Sequence, residues 1–276
     1  MNNINLPENN LKIIEIILNK FNEKYVDHKY FTDGAYSKVL LLNNKYLIKQ
    51  SNKLALKAEV EFLELNKNEY MQKVLFVDKN YDFVAYEFIH GDIMKDLSDI
   101  SLNKLTKTLV EIVSKYPNYN SNTFGYFDDP VNSWPDFLIS EVNYSSQNIT
   151  QYIPNNEIVF KVIKELENYP FETKLLHGDF GTHNFVKKDG KFIGIIDPMS
   201  VIGDPLYDIL FAFASNINII YNISLEHIYS LINEDNRKIL LMLIVVMYSR
   251  ISRCLKYHKQ DIDKYMEIWN KLIEQV

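Results

Sequence analysis

Leu176-His177-Gly178-Asp179-Phe180-Gly181-Thr182-His183-Asn184-Phe185-Val186 is the stretch that decides how this chain reads. Apolar segments bound it on both sides, which makes it a loop on a rigid base. Thirteen residues past Asn184, Ile195-Ile196-Asp197-Pro198 reads as a strand end. Between them, Phe185 to Lys187 and Phe192 to Ile196 form the arms of a hairpin turned at Lys188-Asp189-Gly190. Asp179, Asn184 and Asp197 can then converge at one end of that hairpin. Two carboxylates and an amide oxygen suit a hard cation such as Mg²⁺, which keeps waters and binds phosphates.

Toward the N-terminus, Leu11, Ile14, Ile17, Leu18 and Phe21 share one face of a helix expected over Pro7 to Tyr25. Tyr30 to Leu42 is rich in aromatic and β-branched residues and is broken by Asp33-Gly34. Asn43-Asn44 is a second turn, and Lys45 to Gln50 a further strand, so three antiparallel strands are expected. Lys53 to Asn66 returns to helical spacing. Val74 to Asp78 and Phe83 to Phe88 are two more strands, ended by the break at Ile89-His90-Gly91-Asp92. Beyond it, helices are expected at about 101–115, 133–147 and 155–168, with Asn118 to Pro135 as a loop. Helices resume at Asp204 and run, with breaks, to the C-terminus. The apolar run Ile239 to Met247 is too short to cross a bilayer and reads as buried core. A β-rich part followed by a helical part is an α+β arrangement.

His-x-Asp-x-x-x-x-Asn followed by a strand-end Asp resembles the catalytic and metal-binding loops of protein-kinase-like enzymes. The form His-Gly-Asp-Phe-Gly-x-x-Asn, then Ile-Asp, then Gly-Asp-Pro-x-x-Asp at Gly203 to Asp208, is similar to the aminoglycoside phosphotransferase family, which also holds small-molecule kinases. The resemblance implies a two-lobed protein-kinase-like fold. A small antiparallel-sheet N-lobe with one helix (residues 1–91) would bind nucleotide. A larger, mainly helical C-lobe (residues 92–276) would carry catalysis and the acceptor.

The resemblance also implies roles. Asp179 accepts or orients the proton of the attacking hydroxyl. Asn184 and Asp197 hold Mg²⁺. His177 orders the loop. Asp208 either braces that loop or is a helix-start carboxylate favoured by the dipole. Asp204 reads as an N-cap, with Pro205 opening the helix. Lys49, ending Tyr46-Leu47-Ile48-Lys49, contacts the α- and β-phosphates of ATP, or of GTP. Its partner is Glu59, ahead of Glu61 and Glu64. Gly34 and Ser37 sit where a phosphate-covering loop belongs, although a plain hairpin turn explains Asp33-Gly34 equally well. Glu87 and Ile89 resemble a hinge that hydrogen-bonds a purine through its backbone. Pro198-Met199 after Asp197 argues against a mobile activation segment and a protein substrate.

Charge sharpens the acceptor. Lys plus Arg is 30 and Asp plus Glu is 36, a net charge of −6. Such a chain is ill suited to nucleic acid, which needs clustered positive charge. From Asp128 to Glu167, seven acidic residues face two lysines, a balance of −5. A cationic small molecule such as an aminoglycoside or aminocyclitol fits this balance. Asp128, Asp129, Asp136 and Glu141 are candidate acceptor ligands, followed by Asp261, Asp263 and Glu267. A solvated acidic helix face is the plainer account of each. Trp134 and Phe137 read as core. A single cysteine, Cys254, excludes an internal disulfide and Cys-rich zinc sites and suits a reducing cytoplasm. No signal peptide, membrane span or obligate protein partner is expected. The expected activity is transfer of a nucleotide γ-phosphate to a small-molecule hydroxyl. A metabolite kinase for choline, a sugar or an amino-acid alcohol, and a silent nucleotide-binding scaffold, are the alternatives.

Overall fold

The computed structural model describes residues 8–31 and 37–276. The chain divides into two compact units, the first ending at His90 and the second spanning Gly91–Val276.

In the first unit, α1 spans Glu8–Phe21. It stops short of the expected Tyr25 because Asn22 takes a φ of 52° and the Glu23 N–H closes back on Leu18 O at 2.9 Å. That left-handed closure is how helices commonly end. Strands β1 (His28–Phe31), β2 (Lys38–Leu42) and β3 (Tyr46–Gln50) follow, then α2 (Lys53–Leu65), β4 (Val74–Val77) and β5 (Val84–Glu87). The five strands form one antiparallel sheet ordered β1-β2-β3-β5-β4. Asn43 and Asn44 turn β2 into β3 with φ of 52° and 53°, a region asparagine tolerates. Ile13, Ile14, Ile17 and Leu18 of α1 pack on Leu40, Leu42, Ile48, Phe83 and Ala85, which makes the unit's core. The Asn52 side chain caps α2 by accepting from the Leu54 N–H at 2.8 Å.

The second unit runs β6 (Asp92–Ile93), α3 (Leu102–Ser114), β7 (Phe124–Tyr126), β8 (Pro130–Val131), α4 (Trp134–Ile149), α5 (Glu157–Leu166), β9 (Lys174–Leu176), β10 (Phe185–Lys188), β11 (Lys191–Ile195) and β12 (Val201–Gly203). Then come α6 (Leu206–Ala214), α7 (Ile217–Ile220), α8 (Leu225–Leu231), α9 (Asn236–Tyr257) and α10 (Ile262–Ile273). Helix α9 carries the apolar run Ile239 to Met247, all of it buried. No described helix is long and apolar enough to cross a membrane.

Two small sheets interrupt the helices, ordered β11-β10-β6 and β8-β7-β12-β9. The hairpin β10–β11 turns through Asp189 and Gly190, with φ of 50° and 67°. The segment Asn118 to Pro135, expected as a loop, contains β7 and β8. These strands are two or three residues long, too short to show alternation, and they exist because β12 offers β7 a partner. Strands β6 and β12 escaped the sequence pattern for the same reason. The second sheet brings Tyr126, Val201 and Leu176 into one row, directly before the loop of Asp179.

Strand β12 packs tightly on α4. A Cβ at Gly203 would lie 2.0–2.6 Å from the Trp134 ring, which itself stacks on Phe137 at 5.0 Å and meets Tyr207 edge-on. Gly203→Ala should therefore destabilise the protein by roughly 1–3 kcal/mol, the scale of overpacking a rigid core. Urea unfolding checks this, and an unchanged midpoint would show that the ring has room to move.

Candidate active site

The loop after β9 is built on buried hydrogen bonds. Asp208, in the first turns of α6 and fully buried, accepts the N–H of His177 at 2.7 Å on one oxygen and the N–H of Gly178 at 3.0 Å on the other. Of the two readings left open for Asp208, bracing the loop is the one this geometry performs. Burial pushes its pKa up to about 7, against the pull of the two N–H donors. Gly178 has a φ of 78°, and a Cβ there would stand 2.1 Å from Met199 O, so only glycine fits between His177 and Asp179.

His177 is buried, and its Nε2 lies 3.0 Å from Ile196 O. Burial lowers its pKa to about 4, so the ring is neutral and Nε2–H donates to that carbonyl. The Ile196 N–H in turn donates to Asn184 O at 3.0 Å. These two bonds tie the strand end carrying Asp197 to the loop carrying Asn184.

Asp179 is half-buried. Its Oδ2 accepts from His183 Nε2 at 2.9 Å and from Asn184 Nδ2 at 3.0 Å, and Asn184 Nδ2 also reaches Asp179 O at 2.9 Å. Burial works against ionisation here. The hydrogen bond from His183, its charge and that of Arg253 outweigh it and hold the carboxyl at about 2. Asp179 is therefore ionised at neutral pH and fixed through one oxygen. His183 was not singled out from the sequence, because a histidine beside the motif carries no pattern of its own.

With Nδ2 engaged, Asn184 has Oδ1 to offer a cation. Asp197 is exposed, with a φ of 57°. Aspartate is among the few non-glycine residues that enter that region readily. An amide oxygen and a carboxylate are the donors Mg²⁺ prefers, so the residues present fit that ion. Among the described residues no cluster of three or more His, Cys, Asp and Glu stands ready to bind a metal by itself. Two protein ligands are the usual complement for Mg²⁺ carried with a phosphate substrate.

In the first unit, Lys49 lies opposite Val39 and Val84 in the sheet. Its Nζ donates to Glu59 Oε2 at 2.8 Å, and the two side chains are only 12% and 4% exposed. Glu64 pairs with Lys67 at the end of α2. Gly34 lies outside the described residues, and Ser37 stands half-buried just before β2. Glu87 ends β5 with its N–H on Lys73 O and its carbonyl accepting from Gln72 Nε2. Of its backbone groups, the carbonyl's second lone pair is what remains for a purine. Ile89 follows, half-buried.

Three of the candidate acceptor ligands already have partners. Asp136 is engaged in a reciprocal cap with Ser133, accepting from its Oγ at 2.7 Å and donating its N–H to it at 3.2 Å. Glu141 is buried, paired with Arg253 Nη2 at 3.3 Å and hydrogen-bonded by Tyr126. Glu267 accepts from Tyr221 at 3.0 Å and pairs with Lys271 at 2.7 Å. Asp128 and Asp129 are exposed between β7 and β8, while Asp261 and Asp263 lie at the start of α10. Asp204, read as a plain cap, accepts the Leu206 N–H at 2.9 Å and also forms a buried ion pair with Lys238 at 3.1 Å.

The neutral His177 makes stability depend on pH. The unfolded chain takes up a proton there below about 6.5, and the folded chain does so only near 4. Its contribution is therefore full above 6.5 and is lost as pH falls toward 4, amounting to roughly 2 kcal/mol between pH 7 and 5. Asp208, with its raised pKa, works in the opposite direction and is common to both proteins compared. Against the parent, His177→Gln should show a stability profile less destabilised by acid over this range in urea unfolding. Parallel profiles would mean that the ring is not held neutral.

Comparison with known proteins places this geometry. A model described as the phosphotransferase enzyme family matches residues 43–229. Among solved structures, the chain is similar to a GDP complex of aminoglycoside 2'-phosphotransferase-IIIa, at 15% identity and a TM-score of 0.56, covering 97% of this chain and 99% of that one. It is also similar to a ternary complex of aminoglycoside phosphotransferase APH(4)-Ia with ADP and hygromycin B, at 15% identity and a TM-score of 0.60, covering 95% and 98%. A GDP and kanamycin complex of APH(2")-IIia matches at 15% identity and a TM-score of 0.57, covering 96% and 99%. At such identities the shared property is the two-lobed, protein-kinase-like fold. No curated protein matches the sequence.

Proposed function

The chain belongs to the phosphotransferase enzyme family, and from that premise we propose that it moves the γ-phosphate of ATP or GTP to a hydroxyl of a small molecule, an aminoglycoside or aminocyclitol being the acceptor class. The observation that carries this reading is Asp179: a carboxylate kept ionised, fixed through Oδ2, and set on a loop braced by Asp208. The solved relatives, as complexes with GDP, ADP, kanamycin and hygromycin B, support the nucleotide and acceptor classes.

Each residue then has a task. Oδ1 of Asp179, which makes no hydrogen bond among the described residues, accepts a hydrogen bond from the acceptor hydroxyl; this aims the oxygen and receives its proton as its bond to the γ-phosphorus forms and the bond to the nucleoside diphosphate breaks. His183 and Asn184 keep the carboxylate from turning. Asn184 and Asp197 would hold Mg²⁺, which would offset the negative charge developing on the transferred phosphate. Lys49, kept extended by Glu59, contacts the α- and β-phosphates. The Glu87 carbonyl and the Ile89 backbone receive the purine, and Ser37 lies beside the phosphate-covering segment.

Release of ADP or GDP with ATP or GTP, across aminoglycosides, aminocyclitols and metabolite alcohols, tests the proposal, with Asp179→Ala as control. Acceptor-dependent turnover should fall at least ~10²-fold in the control. Undiminished turnover in folded Asp179→Ala would sink the assigned role.

Asp197→Asn separates the metal role from a structural one. Asparagine adopts a φ of 57° as readily as aspartate, so the melting temperature should hold. Strengthening of nucleotide binding by Mg²⁺ should drop on the order of 10–100-fold, the scale of one lost charged contact. An unchanged Mg²⁺ effect in a titration would remove Asp197 from the metal site.

A further inference from the structure

Glu141 is engaged by Arg253 and Tyr126, and the charged group beside it with donors to spare is positive. Arg253 lies near the end of α9. Its guanidinium carries several N–H donors and no acceptor. Among the described residues it makes one hydrogen bond, from Nη2 to Glu141 at 3.3 Å, while Nη1 has no partner and no water contact. Arg237, at the other end of the same helix, uses Nε, Nη1 and Nη2 on Glu165 and Gln275 O. The Arg253 side chain is 29% exposed, so a ligand can reach the guanidinium by its other donors, although not Nη1, which is sealed from water.

Its location follows from α6. Asp208, Phe211 and Ser215 share one face of that helix, at helical spacing. Asp208 holds the N–H groups of His177 and Gly178, and Ser215 accepts the N–H of Thr182 at 3.0 Å. Between these two anchors, the Arg253 guanidinium lies over the Phe211 ring at 5.0 Å. It therefore stands on the face of α6 that carries the Asp179 loop. Its charge also helps to keep Asp179 ionised.

We propose that Arg253 is an acceptor-binding residue, donating from its guanidinium to an oxygen on the carbon next to the reacting hydroxyl. The acceptor thus presents a vicinal oxygen pair, as in a diol, a polyol ring or a hydroxy acid. This rests on the kinase reading of the same site. An ammonium at that carbon would face a like charge and find no acceptor atom on Arg253. Glu141, the carboxylate that would receive such an ammonium, is already bonded by Arg253 and Tyr126. An aminocyclitol fits only by turning an oxygen-bearing edge, rather than an amino-bearing one, toward Arg253.

The experiment measures turnover of kanamycin, hygromycin B, myo-inositol and glycerate, which have vicinal oxygens, against choline and ethanolamine, which have nitrogen there instead. Nucleotide affinity is measured in parallel. Arg253→Met and Arg253→Lys are then compared with the parent on the best acceptor. We expect turnover only in the first group. Acceptor KM should rise about 10–100-fold in Arg253→Met, with partial recovery in Arg253→Lys and nucleotide KM unmoved. Melting temperatures verify that both variants fold. Turnover of choline or ethanolamine, an unmoved acceptor KM in Arg253→Met, or no turnover of the first group by a protein that binds nucleotide would each overturn the inference alone. Absence of nucleotide binding would overturn the kinase reading, and the inference with it.

Discussion

Two backbone N–H groups, those of His177 and Gly178, end on the two oxygens of a carboxylate removed from water, Asp208. An amide left unpaired at such a depth would cost about 1–3 kcal/mol, so the loop conformation and the start of α6 stabilise one another. From this contact the rest of the site is set out. Gly178 can take its φ of 78° only because it lacks a side chain, and His177 is then directed onto Ile196 O. Ile196 N–H returns to Asn184 O, and Asn184 Nδ2 returns to Asp179. The loop and the strand end that carries Asp197 become one body.

The same arrangement gives neighbouring carboxylates opposite tendencies. Asp208 pairs with no cation among the described residues and is fully buried, so desolvation raises its pKa to about 7. Asp179 keeps partial contact with water and gains His183 and the charge of Arg253, which hold it near 2. Environment, not residue type, sorts two aspartates into a brace and a charged group. In the other unit, Glu59 and Lys49 follow a related rule. Both are largely removed from water, and each is stabilised as an ion by the other.

The long-range part of the chemistry depends on helices far apart in sequence. Tyr126, Glu141, Tyr207 and Arg253 come from β7, α4, α6 and α9, and their charges and dipoles act on one another and on Asp179. The carboxylate of that cluster, Glu141, is already bonded by Arg253 and Tyr126. The strongly acidic segment Asp128 to Glu167 therefore says less about the acceptor than its charge suggests.

The amino-acid sequence determined the features whose physics is local. Alternation and helical spacing fixed most strands and helices, while Asp189-Gly190 and Asn43-Asn44 fixed their turns because those residues tolerate a positive φ. The spacing of Asp179, Asn184 and Asp197 was legible because a hairpin of that length returns its ends to one place. The family resemblance, rather than spacing, singled out Glu59 among the glutamates of α2, and Lys49 pairs with it. Tertiary structure alone decided the rest. Strands β6, β7 and β12 are too short to leave a periodic signal and form against partners many residues away, and β8 forms only once β7 is in place. Whether an acidic residue is free depends on neighbours the sequence does not reveal: Arg253 for Glu141, Lys238 for Asp204. The significance of His183 and Arg253 is of that kind, because a charge acquires a role only from the groups that folding brings within reach of it.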